Sequence, residues 1–111
     1  MNLNLHERLI SLLTKRRLFL VLGSAFADGS QVGRKENERH AFLACVWDKE
    51  SAVPNRVFEA LEERGWKMPQ LDSCKLLNLP LESKDAALIN GFHAAMRGDV
   101  GVIIYNNDTD D

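Results

Sequence analysis

Leu18-Phe19-Leu20-Val21-Leu22, closed by Gly23-Ser24, is the stretch on which the fold turns. A short continuous apolar run bounded by a turn signal fits a strand buried on both faces, and its periodicity alone leaves a continuing helix open. The strand reading is preferred because Gly23-Ser24 stops the run and because Ala41 to Trp47 offers a second apolar run as hairpin partner. Between the two lies a polar connection, residues 25 to 39, unusually long for a hairpin. Part of it could extend the strands and leave Asp28-Gly29-Ser30 as the true turn.

Upstream, Leu5, Leu9, Leu12 and Leu13 share one helical face, predicting an amphipathic helix over 4 to 15 with Asn2 or Asn4 as cap. Lys15-Arg16-Arg17, the apolar run and Ala25-Phe26-Ala27 together imitate an export signal. The imitation is imperfect, since the basic residues follow a segment containing Glu7 and the apolar run is short. The expected location is therefore cytoplasmic. No stretch approaches the roughly 18 apolar residues of a membrane span.

Downstream, Ser51 is the expected cap of a helix that has Pro54 in its first turn and Val53, Val57, Phe58 and Leu61 as its buried stripe. Gly65 stops it, and Trp66 packs back on its end. Residues 70 to 77 alternate as a strand closed by Pro80. Ser83, Ala86, Leu88, Ile89, Phe92, Ala95 and Met96 mark another helix, ended by Gly98, and Val100 to Tyr105 reads as a central or well-covered strand. Phe58 before Arg64-Gly65 and Phe92 before Arg97-Gly98 look alike; a shared need for a glycine stop explains this more simply than duplication.

The resulting expectation is a two-layer α+β domain of about four mixed strands, with helices mainly on one face. Its order is α-β-β-α-β-α-β, broadly ferredoxin-like. A chain of 111 residues, 45% hydrophobic and 27% charged, supports one core over residues 1 to 105, with an acidic tail over 106 to 111. Cys45 and Cys74 form no ligand or redox pair and are expected to be reduced and buried.

The net charge of -2 argues against nucleic acid as partner. The loop after the first strand lacks phosphate-loop and dinucleotide spacings, so no cofactor is expected. Ser24 or Ser30, Asp28 and His40 could supply the parts of a hydrolytic triad, yet neither serine sits in a nucleophile elbow, and no catalytic residue is assigned. His6, His40 and His93 are scattered, and the tail has only the composition of a calcium loop, so no metal site is assigned.

What folding does not explain is the long charged connection. It makes a non-catalytic protein-interaction module (an adaptor, inhibitor or immunity-type neutraliser) the leading expectation, with Asp28, Ser30, Gln31, Arg34, Lys35 and Arg39 as partner-binding residues. Were the loop to fold back towards Lys15-Arg16-Arg17, the cations would form a basic rim. The alternatives are a regulatory domain holding a small molecule between this loop and a helix end, and an enzyme site shared across a homodimer.

Overall fold

A computed structural model describes residues 15–78 and 83–105. Nearly all of the helix expected over 4 to 15, together with Pro80 and the tail 106 to 111, lies outside the described residues. Within them the order is β1 (Arg17–Ala27), β2 (Arg39–Asp48), α1 (Val53–Glu63), β3 (Trp66–Leu76), α2 (Ala86–Met96) and β4 (Gly101–Ile104). No helix among them is long and apolar enough to cross a membrane.

The strands form a single sheet in the order β3-β1-β2-β4. Every neighbouring pair is antiparallel, where a mixed sheet was expected. The reason is topological. A strand–helix–strand crossover ordinarily yields a parallel pair, but the crossover through α1 passes over β1, so β2 and β3 run the same way without touching. β4 then adds to the far side of β2. The segment expected to be central is thus an edge strand, although Val100 and Gly101 are buried.

Side-chain alternation sorts the core into two faces. Phe19, Val21, Ala25 and Ala27 of β1 join Phe42, Ala44 and Val46 of β2 beneath Val53, Val57, Ala60 and Leu61 of α1. Leu18, Leu43 and Cys45, with the half-buried Leu20, Leu22 and Trp47, pack against Leu88, Phe92 and Ala95 of α2. The helices therefore cover opposite faces, and the expected ferredoxin-like layering with helices on one face does not describe the chain. A hairpin apolar on both sides needs a cover on each.

Several boundaries shift for local reasons. Gly23-Ser24 lies inside β1, where a Cβ on Gly23 would collide with the Gln70 carbonyl oxygen and lie 2.9 Å from the Phe42 ring. That glycine admits the backbone of β3; it does not end the strand. Opposite it, β3 is bulged: the partner of β1 steps from Ser73 to Leu71 between Leu22 and Gly23, and from Gln70 to Lys67 between Ser24 and Phe26. The second bulge contains Pro69 and leaves Met68 at φ 50°, a left-handed conformation rare for a side-chain-bearing residue. Bulges and Pro69 also protect β3 as an edge.

Ser51 lies in a short 3-10 turn, Glu50–Ala52, and gives α1 no side-chain cap. α2 begins at Ala86, leaving Ser83 outside it, and Asp85 caps it, its Oδ1 accepting from the amides of Ala87 at 2.9 Å and Leu88 at 3.4 Å. Phe58, expected in the buried stripe of α1, is 37% exposed, and Ala60 takes the inward position. Cys74 is exposed, contrary to expectation, because it lies on the edge strand; Cys45 is buried. Burial pushes the Cys45 thiol up to about 11.

Candidate interaction site at the hairpin tip

The β1–β2 ladder closes at Ala27, whose amide donates to the Glu38 carbonyl at 2.8 Å and whose carbonyl accepts from the Asn37 amide at 2.8 Å. The connection is therefore residues 28–38. Within it, Asp28 Oδ1 accepts from both the amide and the hydroxyl of Ser30, the local turn chemistry of aspartate. These bonds hold the Asp28 carboxyl below its ordinary range.

The loop is tied down at its root. A helix leaves its last carbonyls without intrahelical partners, and at the end of α1 these are met from the loop. Gln31 Nε2 donates to the carbonyls of Arg64 at 3.0 Å and Gly65 at 3.1 Å, and the Asp28 amide donates to Gly65 at 3.0 Å. Gly65 has φ 86°, and a Cβ there would lie 2.6 Å from Ser30 Oγ. Glycine is needed both for the turn and for the loop lying against it.

The other half of the Gln31 amide extends the tie. Its Oε1 accepts from Arg34 at 2.8 Å, and the Arg34 guanidinium carbon sits 5.3 Å from the centre of the Trp66 ring. Trp66 is buried and meets His40 edge-on, with ring centres 5.4 Å apart. His40 Nδ1 lies 2.8 Å from the Tyr105 carbonyl oxygen and so donates to it, while Nε2 lies 2.7 Å from Glu38 Oε2. A polar and aromatic chain thus runs from α1 through the loop to the last strand. Lys67 and Glu36 add an ion pair at 3.2 Å.

Asp28, Ser30, Gln31 and Arg34 are consequently gathered at the root, occupied with one another and with α1. Lys35 is exposed beside the tip. Arg39 lies on the opposite face of the sheet, donating to Ser24 Oγ at 3.1 and 3.2 Å. The same alternation places Ser24 and His40 on opposite faces, which removes the triad built on Ser24. The loop leans on the end of α1, while Arg17 pairs in the ladder with Asp48 at the other end of the hairpin. The basic rim with Arg16 and Arg17 therefore does not form. Of the space between loop and helix end, where the small-molecule alternative would seat its ligand, Ser30 and Gln31 occupy the part against Gly65 and Arg64, while an open cleft remains beside Asp28 and Glu62.

Two apolar features escaped the sequence reading. Val32, next to Gly33 at the tip, is 100% exposed, and nothing lies within 4 Å of the position a Cβ on Gly33 would occupy. Beside the loop root, Phe58, Trp66, Met68 and Pro69 line an open cleft of about 520 Å³ with Asp28, Glu62 and Lys67. A valine inside a polar run is the only sign of the first; nothing local announces the second. Among the described residues, no group of three or more His, Cys, Asp or Glu side chains is gathered to hold a metal.

Searches of protein-family models, of curated proteins and of solved structures found no match.

Proposed function

We propose that the chain is a small protein-interaction module that presents the tip of its hairpin, Val32 with Lys35 beside it, to a protein partner. The observation that carries this reading is the complete exposure of Val32 on a loop whose root is tied to α1 by Gln31. An apolar side chain held out in water contributes nothing to the isolated fold, and a loop ordered beforehand loses little entropy on binding. Asp28, Ser30, Gln31 and Arg34 act here as the frame of the loop, and Lys35 supplies the charge that steers an acidic partner. Two unpaired cysteines suit a reducing, cytoplasmic setting.

The test is affinity capture from the native cell with the intact chain, Val32→Asp, Lys35→Glu and the double variant as baits. A protein retained by the intact chain and lost with the double variant supports the proposal. Equal retention by all four baits, with unchanged circular dichroism, sinks it.

A further inference from the structure

We infer a second recognition surface, independent of the hairpin tip: the cleft between α1 and the bulged start of β3 accepts a peptide segment that carries a large apolar side chain flanked by arginine or lysine.

The walls are apolar and accessible. Met68 is 61% exposed and Phe58 37% exposed, and both line the cleft with Pro69 and the buried Trp66. The volume of about 520 Å³ falls in the range of sites that enclose several side-chain-sized groups. Met68 is put there by its backbone. At φ 50° it occupies a conformation that glycine or asparagine would take at lower cost, in a bulge that turns the strand. A methionine kept in this conformation and left in water has no role in packing the core. Its flexible, polarizable side chain suits an apolar surface that adapts to an incoming residue.

Charge selects the occupant. Asp28 and Glu62 stand on the rim, and Glu59 and Glu63 continue the acidic surface along α1. None of the three glutamates makes an ion pair among the described residues. Asp28 stays ionised because the Ser30 amide and hydroxyl bond its charged form. Of the neighbouring cations, Lys67 pairs with Glu36 while its charge also acts on Asp28, Arg34 is held by Gln31 over the Trp66 ring, and Arg56 and Arg64 line a separate hollow with Glu59 and Glu63. An apolar floor under an acidic rim is the complement of a basic segment with one large apolar residue, and it opposes acidic segments.

The probe is a fluorescein-labelled heptapeptide with one central phenylalanine flanked by arginines, titrated by anisotropy against the full chain beside its glutamate-flanked twin. The arginine peptide is expected to bind and the twin not, with affinity falling as salt rises. Met68→Gly suits the left-handed backbone, so it removes the side chain while keeping the fold. It should weaken binding roughly tenfold, and Glu62→Lys should weaken it as well. Val32→Asp should leave it unchanged, which separates this surface from the hairpin tip. Equal binding of both peptides, no loss with Met68→Gly, or loss with Val32→Asp alone would each overturn the inference. Amide spectra of every variant check that the fold is kept.

Discussion

Gly101 packs directly on the backbone of Gly91: a Cβ on Gly101 would lie 2.5 Å from the Gly91 carbonyl oxygen and 2.6 Å from its Cα. The two glycines let α2 settle onto β4. Because the obstructing atoms are main chain, they have no rotamer to retreat into. Gly101→Ala is expected to destabilise the chain by about 2 kcal/mol or more, through overpacking. A Cβ on Gly91 would instead meet the Cys45 sulfur at 3.2 Å. Gly91→Ala should cost far less, since the gain in helix propensity, up to about 1 kcal/mol, offsets the crowding. Urea midpoints of the two variants test the asymmetry.

Gln31 spans the gap between loop and helix with both ends of its amide. Gln31→Ala removes the donor to two carbonyls at the helix end and leaves Arg34 without its hydrogen-bond partner over Trp66. The expected loss is about 1 to 2 kcal/mol. Faster hydrogen exchange should accompany it at the Asp28 amide, with little change at the Val21 amide in the middle of β1.

Asp48 and Arg56 are joined at 2.7 Å, and Arg56 also donates to the Gly98 carbonyl at 2.9 Å. Burial raises the Asp48 carboxyl, but the Lys49 amide and the Arg56 guanidinium outweigh it and hold it below its ordinary value near 3.8. A carboxyl lowered on folding contributes stability above its unfolded pKa and loses it as pH falls through the folded one. Asp48→Asn should therefore cost about 1 to 2 kcal/mol near pH 7. The difference from the unsubstituted chain should shrink below about pH 4. Chemical denaturation across that range measures both limits.

The cysteines should separate chemically. Cys45 is fully buried, with its thiol pushed up to about 11, whereas Cys74 is exposed on the edge strand. Partial desolvation of its sulfur by neighbouring atoms and the nearby Glu50 also raise Cys74, exposed as the residue is, so it should react with a disulfide reagent at an unremarkable rate that grows with pH. Cys45 should respond only when the chain unfolds. Mass spectrometry after native labelling is expected to find a single adduct, on Cys74.

The apolar run at Leu18 to Leu22 correctly implied a strand covered on both faces, and the glycine stops at Gly65 and Gly98 marked both helix ends. Which helix covers which face was not legible, because that depends on the side to which each crossover turns. Pro69 hid the first part of β3, since a proline argues against a strand unless a bulge removes the need for its amide. At the hairpin, the local bonding of Asp28 to Ser30 could be read, but Asp28-Gly29-Ser30 is not the true turn: it forms the loop root, and the tip lies further on at Val32-Gly33. The bond from Gln31 to Arg64 could not be read, because those residues meet only when the loop lies down on the end of α1. Arg39 looked like part of the same charged cluster until strand alternation placed it on the other face.

The sheet order has a consequence for how the chain acquires its structure. Both outer strands attach to the β1–β2 hairpin, one on each side, and each helix covers one of its faces. Among the described residues, the elements that cover the hairpin all follow it in synthesis: residues 53 to 76 bring the cover of one face and one edge, and residues 86 to 104 bring the cover of the other face and the other edge. Until both have followed, the hairpin is the described part of the nascent chain most prone to self-association.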